Sequence, residues 1–237
     1  MTTEILLAVA VITLGSYIQS SIGFGLAIIA APVLFFLNPE YVPAPITVSA
    51  FTLSVANAWG HRGSISLRGL QYAVIGRVPG SVAGALLILW INQEMLGLWL
   101  GISVLVAVAV SLKTVALTPT PGHMMAAGFL SGFMGTSSSI GGPPMALVLQ
   151  HQEAAYIRAN LSAFFVVSCV MSLAMLAPVG YFGVREMQLA LPLLPGTLVG
   201  YWLARHTWHL ISPRFLRMSS LLLCTVSGVL AVLAFWI

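Results

Sequence analysis

The chain has 237 residues, 59% of them hydrophobic and only 6% charged, with nine Lys and Arg against five acidic residues and a formal net charge of +4. Soluble domains carry about a quarter of their residues as charges, so this composition excludes a soluble fold and marks an integral membrane protein. The basic residues are scattered singly through loops and segment ends, which excludes a nucleic-acid binder.

Polar or Pro/Gly punctuation divides the chain into eight apolar segments, roughly 4–37, 44–60, 70–91, 95–112, 124–149, 157–178, 187–204 and 217–237. Their lengths suit spanning helices and strand-like alternation is missing, so the expected fold is all-α and polytopic rather than a barrel. The start of the chain has Glu4, no basic cluster and no clear small-residue cleavage site, and it reads as structural rather than as a signal peptide. A straight helix over 4–37 would be about 50 Å long, against a hydrocarbon core of about 30 Å, so this segment has to bend or break. The break is expected among Gln19, Ser20, Ser21, Gly23, Phe24 and Gly25, with Phe24 as a wall or gate.

Polar residues inside the next segments are costly in lipid and invite a functional reading. Asn57 has two readings, an amide donor to an oxyanion or a hydrogen bond between helices. Arg77, just before PGSVAG, either adds positive potential to a cavity or snorkels to the cytoplasmic interface. The fifth segment contains GTSSSIGGPP, Gly135 to Pro144, where adjacent prolines remove two backbone donors and no smooth helix is expected. It is expected to split into two arms of about ten residues, each near 15 Å and too short to cross alone. Ser137, Ser138 and Ser139 supply hydroxyls, Gly141 and Gly142 permit close backbone approach, and Pro143 or Pro144 suits a first helical turn. Asn160 in the sixth segment has the same two readings as Asn57, and Thr47 is its weaker counterpart.

His206 and His209 share a helical face in RHTWH, but without an acidic or cysteine partner they read as interfacial anchors beside Trp202 and Trp208, not as a metal site. Asp is absent and no GxSxG elbow occurs, so no Ser-His-Asp set is available. No enzyme, cofactor or metal is expected. Cys169 and Cys224 fall in apolar runs and make no disulfide framework.

The first four segments resemble the last four. SSIG at Ser20 answers SSIG at Ser138, SAF at Ser49 answers SAF at Ser162, and PGSVAG at Pro79 answers PGTLVG at Pro195, in the same order and at nearly constant spacing. Two halves follow, 1–118 and 119–237. If each half opens with a re-entrant hairpin and continues with three spans, and the N-terminus is outside, then Arg62, Arg68, Lys113, Arg158, Arg205, Arg214 and Arg217 are cytoplasmic and only Arg185 is outside. Eight full spans with the N-terminus inside would divide the same charges evenly. Three spans per half is odd, so the halves are expected to be inverted repeats.

A helix that begins inside the membrane presents unpaired N–H groups and the positive end of its dipole, and both attract anions. Two such ends, one per half, predict a shared anion site. The alternative reading, that Ser and Gly merely allow close packing, applies to any single serine. It is the preferred reading for the GxxxG pairs Gly97/Gly101, Gly128/Gly132 and Gly196/Gly200, and such faces leave room for a homodimer. All five glutamates, Glu4, Glu40, Glu94, Glu153 and Glu186, fall at segment edges or loops. No buried carboxylate is then expected to relay protons or hold sodium, which favours efflux or facilitated movement over coupled uptake.

The glycine-rich hairpins GSYIQSSIGFGLAIIAAPVL and GFLSGFMGTSSSIGGPPMAL, the loop HRGSI after Trp59 and the PG segment of each half resemble the sulfite exporter TauE/SafE family of membrane permeases over almost the whole chain. The resemblance implies transport of sulfur-containing or organic anions, such as sulfite or sulfonates, across the cytoplasmic membrane. The serines before GGPP depart from the glycine cluster frequent in that family and bear on substrate choice. The rival expectations are a proton- or cation-coupled importer of the same anions and a non-transporting membrane assembly subunit.

Overall fold

The computed structural model describes residues 3–66, 69–112, 117–207, 213–233 and 235–236, with side chains described outside 213–217 and 220. Arg68, Lys113, Trp208 and His209, and the side chains of Arg214 and Arg217, lie outside the described residues. The described secondary structure is helical throughout: α1 (Thr3–Ile22), α2 (Leu26–Leu37), α3 (Ala44–Gly60), α4 (Leu70–Trp90), α5 (Gln93–Leu112), α6 (Pro121–Ser138), α7 (Gly142–Leu149), α8 (Ala154–Leu176), α9 (Val184–Ala190), α10 (Leu193–Thr207) and α11 (Pro213–Leu233). Four of these, α1, α4, α5 and α8, are long and apolar enough to cross a membrane, and α9 with α10, bent by 42°, makes a fifth if counted as one span.

The first and fifth segments both break, as their lengths and glycines predict. Gly23, Phe24 and Gly25 separate α1 from α2, and the two glycines adopt φ of +99° and +129°, values that a side chain would oppose. Ser139, Ile140 and Gly141 separate α6 from α7. The arms differ from the expected ten residues each, for α6 has 18 residues and α7 has 8, or about 27 Å and 12 Å. Two local causes lengthen α6. Thr120 caps its start, accepting from the His123 N–H at 3.3 Å. At the other end the Ser137 and Ser138 hydroxyls donate back to the carbonyls of Phe133 and Met134 at 2.6 and 2.7 Å, so the serines continue the helix instead of breaking it.

Helix packing crosses between the halves. α4 lies along α6, and α10 lies along α1. In both pairs the PG segment makes the approach possible. A Cβ at Gly80 or Gly84 of α4 would strike the carbonyls of Phe129 or Phe133, and a Cβ at Gly196 or Gly200 of α10 would strike Val9, Thr13 and Ser16 of α1. Gly128 and Gly132 complete the first contact against Ala73 and Arg77, consistent with their reading as packing residues. α3 packs on α8, and α5 on α11.

The charges sort to the two ends of α3. Beyond its last turn Arg62 and Arg205 line one pocket, and Arg158 and Arg205 another. Before its first turn Arg185 pairs with Glu40 at 2.6 Å. Eight full spans would put Arg62 and Arg205 on opposite sides, an arrangement this clustering does not allow.

Candidate functional site

Both helix breaks border one cavity of about 40 Å³. α2 presents Gly25, Ala27 and Ile28, and the α6–α7 break presents Ser139, Ile140, Gly141 and Gly142. Gln19, Phe24, Thr47, Phe165 and Arg77 line other sides. A cavity needs about 10–15 Å³ of such space to hold one water, so the scale here is that of a few heavy atoms.

Arg77 dominates its electrostatics. The residue sits about 10 Å into α4, where a free arginine would snorkel, yet it is only 3% exposed. Its guanidinium is instead held inside by α6 and α8. Nη1 donates to Ser131 Oγ of α6 at 2.8 Å, while Nη2 donates to Ser172 Oγ and the Ser168 carbonyl of α8 at 2.9 and 3.2 Å. The Phe164 ring lies 5.6 Å from Cζ, within cation–π range. Nε has no partner, and no carboxylate among the described residues pairs with this guanidinium. A guanidinium keeps its charge in any ordinary protein setting. Burying one without a counter-ion is expensive, so a missing negative charge is the chemical feature of this cavity.

The cation is wired to the second break. Ser131 Oγ, which accepts from Arg77, donates to the Gly141 carbonyl at 2.6 Å, and Ser172 Oγ shares a 2.9 Å hydrogen bond with Thr136. Ser139, at φ 64°, donates to the Pro43 carbonyl at 2.7 Å and lies 3.2 Å from the Thr47 hydroxyl. Positive φ is costly for a residue with a Cβ, and these contacts hold it there.

The residues expected from sequence to share one site divide into three groups. Gln19, Phe24, Gly25, Arg77, Ser139, Gly141 and Gly142 line the central cavity. Ser20, Ser21 and Asn57 line a different cavity near the end of α3, where Asn57 Nδ2 donates to Ser20 Oγ at 3.0 Å. Gly23, Ser137, Ser138 and Asn160 line neither of these two. Gly23 rests on Arg158 and Leu161, Ser137 Oγ accepts from Trp99 Nε1 at 2.9 Å, and Asn160 Oδ1 accepts from the Ser66 N–H at 2.9 Å, tying down the loop after α3. The helix starts also differ from expectation. The Leu26 N–H is already taken by Gln19 Oε1 at 3.1 Å, and two of the first three residues of α7 are prolines without an N–H. Free amides are therefore fewer than the pattern implied, and Arg77 is the principal positive group. Ser131, Thr136, Ser168 and Ser172, which position it, escaped the sequence reading. Ser168 acts through its backbone carbonyl, which no residue type signals, and the available signal was Ser172, a hydroxyl within an apolar helix.

None of the five glutamates lines the cavity, and among the described residues no group of three His, Cys, Asp or Glu is placed to hold a metal. His206 Nδ1 bonds the Trp202 carbonyl at 2.8 Å and its ring lies 4.6 Å from that indole, a local contact on α10.

The profile of the family described as Sulfite exporter TauE/SafE matches residues 7–231, nearly the whole chain. No curated protein and no solved structure matches. The chain belongs to the TauE/SafE family and is a membrane transporter, not an enzyme.

Proposed function

We propose that this TauE/SafE transporter exports small sulfur-containing anions, sulfite foremost, across the cytoplasmic membrane, binding them in the cavity between its two helix breaks. The observation that carries the reading is Arg77, a buried guanidinium with no carboxylate partner among the described residues, bordering a cavity lined by both breaks. An anion entering there supplies the missing charge, with the Thr47 hydroxyl and the backbone of Gly141 and Gly142 beside it. Phe24, Phe165 and Ile28 give the apolar walls usual in small-ligand sites. The small volume favours sulfite over larger organosulfonates.

The reading includes two inverted halves, 1–118 and 119–237, with the cavity on their common axis. Reciprocal packing supports it, since α4 on α6 and α10 on α1 are equivalent contacts made by equivalent PG segments. Arg62, Arg158 and Arg205 at one end of α3 mark the cytoplasmic side. Efflux follows from the field, because an inside-negative potential favours anion exit by about 2.3 kcal/mol per charge per 100 mV.

The test is radiolabelled sulfite flux in proteoliposomes, comparing the unaltered chain with Arg77→Met. Methionine fills much of the same space without charge, and because no counter-ion among the described residues pairs with Arg77, its removal leaves no uncompensated charge behind. The expected result is flux reduced at least about 100-fold with an unchanged or raised Tm. Normal flux in Arg77→Met overturns the site, and flux that follows a proton or sodium gradient overturns passive export in favour of coupled uptake.

A further inference from the structure

The larger cavity beside Ser20 belongs to no step described so far. Its volume is about 160 Å³, against about 40 Å³ for the central one. Arg158 of α8 and Arg205 of α10 both line it, together with His61, Asn57, Ser20 and Tyr201, and no acidic residue is among its lining groups. Arg205 donates to the Tyr201 hydroxyl at 3.4 Å, which sets its head beside the opening, and His61 Nδ1 bonds the Asn57 carbonyl at 2.9 Å, which fixes the opposite wall. The wall nearest the centre is the end of α1. Ser20 faces this cavity while Gln19, its neighbour, faces the central one, and a Cβ at Gly23 of the following turn would lie 3.7 Å from the Cα and Cγ of Arg158.

We propose that this cavity is a second anion site, a vestibule in which Arg158 and Arg205 hold a small oxyanion from the cytosol before it passes the Gly23–Gly25 turn to Arg77. The proposal rests on the export reading above and adds its loading step. Two guanidinium groups on different helices suit the several oxygens of one oxyanion, and the partly exposed setting makes the attraction sensitive to salt. The repeat supplies an independent observation. In its register the counterparts of Asn57, His61, Arg158, Tyr201 and Arg205 are Val170, Ala174, Pro45, Ala85 and Leu89. These counterparts are uncharged, and Arg185, at that end of α3, is already paired with Glu40, so loading is one-sided.

Equilibrium binding of radiolabelled sulfite to the purified full chain carrying Arg77→Met isolates the vestibule from the central site. One sulfite per chain is expected, its affinity falling at least about tenfold when Arg158→Gln and Arg205→Gln are added. Should that variant fail to fold, Arg205→Gln alone, at an exposed position, is expected to give about a threefold loss. Absent binding, or binding indifferent to these changes, overturns the vestibule. So does displacement of sulfite by phosphatidylglycerol at near-stoichiometric amounts, which would assign the two arginines to a lipid phosphate. In oriented vesicles of the otherwise unaltered chain, Arg205→Gln should raise KM about threefold on the cytoplasmic face alone and leave kcat in place. An equal change on both faces would also overturn one-sided loading. A chain with no sulfite flux but arginine-dependent binding would sink the export reading and leave the vestibule standing.

Discussion

The two helix breaks are alike in sequence and different in construction. The first turns on glycine: Gly23 and Gly25 take up the positive φ angles, and its bracing is the bond from the Leu26 N–H to Gln19, with Asn57 holding Ser20 at the end of α1. The second turns on Ser139 and is pinned by side chains, through Ser139 to Pro43, Ser131 to Gly141, and Arg77 behind Ser131. The counterpart of Arg77 in the repeat is Leu193, fully buried beside α1. On the proposed inverted-repeat reading the geometry occurs twice, and only the second break is wired to a charge, Arg77 of the first half, held by hydroxyls of the second. In the proposed function the second break is therefore the binding part and the first, with the lower backbone cost of glycine, the part that moves.

The largest effect is expected from forcing the charge onto the first break. Leu193→Arg places a guanidinium where Thr13 is the nearest equivalent of Ser131, and it should cost several kcal/mol and abolish the folded yield in detergent. A well-folded Leu193→Arg would show that the serine shell is not what tolerates Arg77. Next come the PG glycines. Gly80→Val and Gly196→Val each push a branched side chain into a facing backbone and should each cost about 1–3 kcal/mol, read as a lowered Tm. A loss at only one of them would break the equivalence of the two halves. The smallest effect concerns Ser139. Ser139→Ala keeps the left-handed strain and loses the bond to Pro43, an expected cost of about 1 kcal/mol, whereas Ser139→Gly loses the same bond but relieves the strain and should lie near zero. Equal Tm losses in both would remove strain from the account of the second break.

Much of this arrangement was legible in the chain. The segment too long to cross, the glycines and prolines that interrupt it, and the ordered repeat all follow from local chemistry, and both breaks fall where they were expected. Arg77 was legible as an anomaly, though not its fate, because nothing in a linear reading distinguishes snorkelling from burial. SSIG misled as a unit. Adjacent residues on a helix point about 100° apart, so Gln19 faces the central cavity while Ser20 and Ser21 face the vestibule. The same rule dispersed the three serines before GGPP, of which only Ser139 leaves the helix and reaches the cavity.

By itself the sequence determined the membrane setting, the helical class, the places where the backbone must break, and the duplicated order of the segments. Those properties depend on composition and on covalent features of glycine and proline that act within a few residues. Only the tertiary structure decided which of the polar residues meet. Arg77 finds Ser131 across 54 positions of sequence and Ser172 across 95, contacts that exist because three helices pack closely enough to keep a charge out of lipid and out of water.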